Sequence, residues 1–111
     1  MTYDRQIIIS VGNSRKATHW PASTLWWSEL TERLRTPVRG TETLEQYLAL
    51  PKSKQDELKD VGGFVAGALN GNRRKASAVV SRDVVTLDLD NIPAGGTMDV
   101  LRRLEGLGCG F

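Results

Sequence analysis

The chain has 111 residues, enough for a single domain over residues 1–111 and too few for two domains of ordinary size. Hydrophobic residues make up 40% and charged residues 25%, as in soluble globular proteins, and a net charge of +2 is too small to indicate nucleic-acid binding by itself. Cys109 is the only cysteine, which excludes an intramolecular disulfide, and the apolar run near the N-terminus is too short for a signal peptide or a membrane helix, so we expect a cytoplasmic protein.

The N-terminal third predicts a strand, a loop and a helix. Residues 6–11 are rich in β-branched side chains and are followed by Gly-Asn, which is typical of a strand that ends in a turn. Residues 14–21 are polar and end at a proline, which favours a loop. Ser23 is a suitable N-cap for a helix over residues 24–35, whose apolar side chains recur at helical spacing.

The middle of the chain predicts two short helices and a second strand. Thr43 and Gln46 have the spacing of a capping box, in which each side chain bonds the backbone N–H of the other residue. Residues 53–60 are charged and predict a short helix or turn. Residues 62–69, GGFVAGAL, predict a strand whose glycines allow close approach of other backbone.

The last third predicts a hairpin, a strong strand and a helix. Asn70-Gly71 is a hairpin turn signal, with residues 76–80 as the returning arm. Residues 84–90, VVTLDLD, have the most regular alternation of the chain, and residues 97–107 have apolar side chains on one helical face, ended by glycine at C′. The predicted order is β-α-α-β-β-β-α, an α+β fold with a small mixed sheet and helices packed on it.

Two acidic residues lie on one face of the predicted strand 84–90. Asp88 and Asp90 alternate with Val85, Leu87 and Leu89, and side chains two apart on a strand lie roughly 6–7 Å from each other. Two such carboxylates repel each other, and a divalent cation between them relieves the repulsion. The other interpretation is an amphipathic strand whose solvent face happens to be acidic.

A basic segment precedes the acidic pair. Arg73, Arg74 and Lys75 lie at the predicted hairpin tip, and Arg82 follows the returning arm. If the hairpin folds back beside the acidic strand, cations and a metal would flank one site suited to a nucleotide. The alternative is a solvated hairpin tip, and the segment lacks the G-x-x-x-x-G-K-[ST] pattern of a P-loop.

The aromatic and histidine residues give weaker signals. His19 is the only histidine, so no histidine metal cluster can be built, and a hydrogen bond within a loop is the expected role. Trp20, Trp26 and Trp27 are candidates for stacking on bases, but at least one of the adjacent pair should pack in the core, because neighbours on a helix face different ways.

Three segments together resemble a known family. The runs SRKATHW, PKSKQDELKDVGGFVAGALNGNRRK and VVTLDLDN resemble the N-terminal part of phage and prophage primase–helicase proteins, from about Ile9 to Phe111. The most specific portion is KDVGGF, GNRRK and TLDLD in this order. The first domain of that family is a primase–polymerase of the archaeo-eukaryotic type, which primes DNA replication in the cytoplasm of the bacterial host by nucleotidyl transfer.

The resemblance implies roles for the charged residues. Asp88 and Asp90 match the first catalytic motif, which holds Mg²⁺ or Mn²⁺ at the triphosphate of the incoming nucleotide. Arg73, Arg74 and Lys75 fall in a basic segment where contact with phosphate or template is expected, and Arg82 lies near it. Nucleic acid and nucleoside triphosphate are therefore the partners that the family implies.

The chain also departs from the family pattern. The histidine-bearing second motif and the acidic third motif do not follow the D-x-D strand, and His19 precedes that strand. The chain is therefore expected to be a primase–polymerase fragment that is inactive alone and holds metal weakly. The alternative is a small phage-derived binding protein, for instance an inhibitor of a host defence system such as a CRISPR nuclease. An exposed sheet edge at residues 84–90 would then recruit a protein partner or a second copy.

Overall fold

The computed structural model describes residues 4–108, and the order of its elements is β-β-α-α-α-β-β-β-α. The elements are β1 (Gln6–Gly12), β2 (Ala22–Trp26), α1 (Trp27–Arg35), α2 (Leu44–Leu48), α3 (Lys52–Lys59), β3 (Gly63–Val65), β4 (Gly67–Leu69), β5 (Val79–Arg82) and α4 (Thr97–Glu105). Short 3₁₀ turns at Asn70–Asn72 and Ala76–Ala78 lie between β4 and β5. The predicted α+β fold is confirmed.

The strands form two small antiparallel sheets. In the first, β1 lies in the middle with β2 and β3 on either side, and Ile8 is paired with Thr24 across the β1–β2 ladder. In the second, β4 pairs with β5, which confirms that the chain forms a hairpin here. The predicted bounds are wrong: the returning arm is residues 79–82 instead of 76–80, and the single strand predicted at 62–69 is divided between the two sheets as β3 and β4. The buried Ser10 hydroxyl of β1 donates a 2.8 Å hydrogen bond to the carbonyl of Gly67, which joins the two sheets.

The core lies on one face of the first sheet. Ile7 and Ile9 alternate with the less buried Ile8 along β1, as the two-residue period of a strand requires, and they pack with Leu25 and Leu30. Trp27, Phe64 and Val84 pack against this cluster, while the neighbouring Trp26 remains 45% exposed. The expectation that one of the adjacent tryptophans contributes to the core is therefore confirmed.

Helix α1 begins later than the sequence pattern predicted. Residues 22–26 are β2 rather than the first turn of the helix, because they complete a five-residue antiparallel ladder with β1. The helix begins at Trp27, and the carboxylate of Glu29 accepts a 2.9 Å hydrogen bond from the N–H of the N-cap residue Trp26. The predicted cap at Ser23 is wrong, since strand pairing outweighs the local helix signal at this position.

The predicted strand over residues 84–90 is also wrong. This segment has neither helical nor strand structure, and none of its backbone groups pairs in a ladder with another described residue. Its apolar side chains Val85, Leu87 and Leu89 are 83%, 70% and 51% exposed, so no described element covers the face that the alternation marked as buried. A strand is stabilised by its neighbours, and an alternating pattern alone does not supply them.

The remaining helix predictions agree with the structure. Thr43 caps α2, with its hydroxyl accepting from the N–H of Gln46 at 3.1 Å and the Gln46 amide accepting from the N–H of Thr43 at 2.9 Å. Helices α3 and α4 cover most of the segments predicted for them, and Gly108 has a left-handed φ of 69° beyond the end of α4. These elements are specified by local signals, which explains why the sequence located them.

The chain divides into two compact units. The larger one comprises residues 5–85 and contains both sheets and helices α1 to α3. Among the described residues, the smaller one comprises Asp4 and residues 86–108, which include helix α4. Within the part of the chain that the structure describes, no helix has the length and apolar character needed to cross a bilayer. The larger unit contains the basic segment, and the smaller one contains the acidic pair.

Candidate functional site

Two loops of the larger unit are joined by direct hydrogen bonds. The first loop, residues 13–21, connects β1 to β2, and the second loop, residues 70–78, connects β4 to β5. The N–H of Trp20 donates to the carbonyl of Asn72 at 2.8 Å, and a guanidinium nitrogen of Arg74 donates to the carbonyl of Arg15 at 3.1 Å. Gly71 and Asn72 both have left-handed backbone, with φ of 67° and 56°, which turns the second loop toward the first.

Trp20 forms the base of this arrangement. Its side chain is 2% exposed, and the indole N–H donates to the carbonyl of Ala17 at 2.8 Å. The guanidinium of Arg74 lies 4.6 Å from the centre of the ring, at cation–π distance. The ring also lies directly against Gly12, where a Cβ atom would come within 2.4 Å of it. Arg74 is therefore fixed by two contacts, the ring and the carbonyl of Arg15.

Asp60, just beyond the end of α3, holds the start of the first loop. Its carboxylate accepts from the hydroxyl of Ser14 at 2.6 Å, from the N–H of Arg15 at 2.9 and 3.1 Å, and from the N–H of Gly62 at 3.2 Å. The hydrogen bond from the Ser14 hydroxyl, followed by that from the Arg15 N–H, lowers the pKa of Asp60 below its ordinary value. The ionised carboxylate thereby positions Arg15, whose carbonyl in turn positions Arg74.

The second loop presents three consecutive cations to a groove of about 560 Å³. The groove, called the basic groove below, is lined by Ala17, Thr18, His19, Gly71, Arg73, Arg74 and Lys75. Arg73 and Lys75 are exposed, and no described carboxylate lies within ion-pair distance of either side chain. Their positive charge is therefore directed to solvent, where an anionic ligand can meet it.

A second groove adjoins the basic groove and differs from it in chemistry. It also measures about 560 Å³ and is lined by Val11, Asn13, Ala17, Thr18, His19 and Pro21. Residues 17–19 line both grooves, so this short stretch of the first loop is the wall between them. The second groove, called the apolar groove below, has no Lys, Arg, Asp or Glu among its lining residues.

The other residues predicted for the site lie elsewhere. Arg82 is at the end of β5 opposite the second loop, paired with Gly67, and is exposed. Asp88 and Asp90 are exposed in the irregular segment of the smaller unit, so their convergence with the basic residues stays a prediction. Among residues 4–108, no group of three or more His, Cys, Asp and Glu side chains is arranged to hold a metal ion. The two carboxylates would give Mg²⁺ or Mn²⁺ only part of an oxygen shell.

Two residues of the arrangement were not identified from the sequence. The sequence indicates Trp20 only as a candidate for base stacking, and it indicates Asp60 only as part of a charged helix or turn. The one local signal for Asp60 is its place directly before Val-Gly-Gly, where a helix ends and a left-handed Gly62, φ 83°, follows. No local signal links Trp20 to Arg74, because the contact joins two separate loops.

Comparison with known proteins identifies the family. A family model described as the VapE N-terminal domain matches residues 1–109. No curated protein matches the chain. No solved structure matches it either. Because the match covers nearly all of the sequence, the chain belongs to the VapE N-terminal domain family, a domain of phage and prophage VapE-like proteins.

Proposed function

We propose that this chain is a nucleic-acid-binding module of a phage DNA replication protein, and that its basic groove binds the phosphates. The main observation in support is that Arg74 is held in a fixed position beside Arg73 and Lys75. Neither of these two neighbours has a described acidic partner. A guanidinium that is already held in place loses little side-chain entropy when it binds a phosphate. The exposed Arg73 and Lys75 add charge that releases counterions from nucleic acid.

The family relationship and the sequence resemblance support a more specific role. We infer that the chain derives from the primase–polymerase part of a phage replication protein, in which Asp88 and Asp90 bind Mg²⁺ or Mn²⁺ for nucleotidyl transfer. The chain alone supplies only these two acidic ligands and is expected to be inactive in synthesis. A primer-synthesis assay with Mn²⁺ and nucleoside triphosphates tests this role, and templated synthesis lost in Asp88→Ala would show that the chain is itself catalytic.

The binding proposal is tested by removing cations at two places. Fluorescence anisotropy with a labelled oligonucleotide, over a range of salt concentrations, compares the double variant Arg73→Ala/Lys75→Ala with the matched control Arg102→Ala/Arg103→Ala. Both variants remove two positive charges, so they change the net charge equally. Each lost phosphate contact should reduce the slope of log K against log salt by about 0.7–0.9, and only in the groove variant. Equal losses in the two variants would mean that net charge, and not the groove, governs binding.

A second function is favoured by the exposed apolar side chains at residues 85–89. Val85, Leu87 and Leu89 alternate along an irregular stretch that no described strand pairs, and an unpaired stretch of this kind can add as a strand to the sheet of another protein. We infer from it the alternative of a small phage binding protein directed at a host defence nuclease. A nuclease-inhibition assay tests it: inhibition lost in Leu87→Lys and retained in Arg73→Ala/Lys75→Ala would favour this function over nucleic-acid binding.

A further inference from the structure

We propose that the two adjoining grooves together bind single-stranded nucleic acid, with phosphates in the basic groove and an unpaired base in the apolar groove. This inference rests on the proposed function and specifies its ligand. It starts from the observation that residues 17–19 line both grooves, so that a charged surface and an apolar surface meet at one thin wall. A nucleotide has the same two parts, a charged phosphate and a largely apolar base.

The apolar groove suits the face of a base. Val11, Ala17 and Pro21 provide apolar surface, and Val11 is 36% exposed although it belongs to a central strand. Asn13 and Thr18 line the same groove and carry an amide and a hydroxyl that can bond to the edge of a base.

The combination favours a single strand over a duplex. In a duplex the base faces are stacked and the pairing edges are used, so an apolar wall beside the phosphates would have nothing to contact. In a single strand the bases can turn out of the stack and place their faces on protein surface while the backbone follows a basic groove. His19, which is exposed in the shared wall, would then lie between the phosphate and the base.

The test compares two ligands and two substitutions. A labelled oligothymidine and a hairpin duplex of the same length are titrated with the wild-type chain and with the variants Val11→Thr and Asn13→Ala. Neither substitution changes the charge, and Asn13 is exposed in a loop, so this variant serves if the strand variant unfolds. Melting curves establish that each variant is folded.

We expect the single strand to bind more tightly than the duplex. Each variant should weaken single-strand binding about three- to tenfold, as for partial loss of an apolar contact or of one hydrogen bond, and leave duplex binding and the salt slope unchanged. If the two ligands bind equally well and neither variant changes the affinity, the base site is refuted. The basic groove would then still be supported as the phosphate site. Failure of both ligands to bind would overturn the proposed function itself.

Discussion

Replacing Gly12 with alanine should destabilise the fold by displacing a single aromatic ring. A Cβ atom at this position would lie 2.4, 2.5 and 2.6 Å from Cε2, Cζ2 and Cδ2 of Trp20. The ring is 2% exposed, hydrogen-bonded to Ala17 and covered by the guanidinium of Arg74, so it cannot move without disturbing these contacts. The substitution therefore acts on the base of the candidate site as well as on stability.

The size of the effect follows from the contact distances. Ordinary contacts of a Cβ atom begin at 3.4 Å, so the ring or the strand must shift by about 1 Å to accommodate the methyl group. Forcing an extra methyl group into a packed interior costs about 1–3 kcal/mol. Alanine in a strand is otherwise favourable relative to glycine, by roughly 0.5–1 kcal/mol, which offsets part of this loss. A net destabilisation of about 1–2 kcal/mol is expected.

The strand partner of Gly12 supplies a matched control. Gly63 lies directly opposite in the β1–β3 ladder, and a Cβ atom added there has nothing within 4 Å. Urea unfolding should give a loss of stability for Gly12→Ala and a gain of about 0.5–1 kcal/mol for Gly63→Ala, because alanine is favoured over glycine in a strand when nothing obstructs its methyl group. In a Trp20→Leu background the loss at Gly12 should shrink, because the ring that clashes is absent. Equal stabilities of the two alanine variants would refute the steric argument.

Three further changes test other parts of the structure. Ser10→Ala removes a fully buried hydroxyl bonded to the carbonyl of Gly67 and should cost about 1–3 kcal/mol in urea unfolding, whereas an unchanged midpoint would show that the hydroxyl is dispensable. Because hydrogen bonds lower the pKa of Asp60, its ionised form stabilises the fold above the unfolded-state pKa, and this stabilisation is lost as the pH falls through the lowered folded-state pKa. The melting temperature of Asp60→Asn should therefore lie below that of the wild type at neutral pH, and the gap should narrow as the pH falls below about 4. A gap that stays constant down to the lowest pH at which the chain is folded would contradict the assignment. Asp88→Asn with Asp90→Asn should leave stability within about 0.5 kcal/mol, since both side chains are exposed, while weak Mn²⁺ binding measured by calorimetry should disappear.

The parts of the fold predicted correctly are those specified by neighbouring residues. The capping box of Thr43 and Gln46 joins residues three apart, and Asn70-Gly71 marks the point where the chain leaves β4, although the connection to β5 is longer than the predicted turn. The segment 84–90 had the strongest alternation in the chain, yet it lacks a described partner strand. Strand β2 shows the reverse case, since pairing with β1 determines a segment whose local pattern favoured a helix.

The same distinction applies to the candidate site. Arg73, Arg74 and Lys75 are consecutive, so the sequence alone marked them as a basic surface. Their arrangement depends on Trp20 and Asp60, which lie far away in the chain and reach the groove through contacts between loops. Such contacts leave no periodic or local signal in the sequence, because these residues come together only in the folded chain.

The position of Asp60 reverses the usual rule for how an acidic residue affects binding to a polyanion. Coulomb repulsion alone predicts that any carboxylate near a basic groove weakens binding and that its removal helps. Asp56, which lies 4.0 Å from the guanidinium of Arg15 and bonds no described loop amide, should follow that rule. Asp60 anchors the backbone from which Arg74 is held, so its removal should loosen the cations and weaken binding. Replacing an acidic residue in order to strengthen binding should therefore succeed at Asp56 and fail at Asp60.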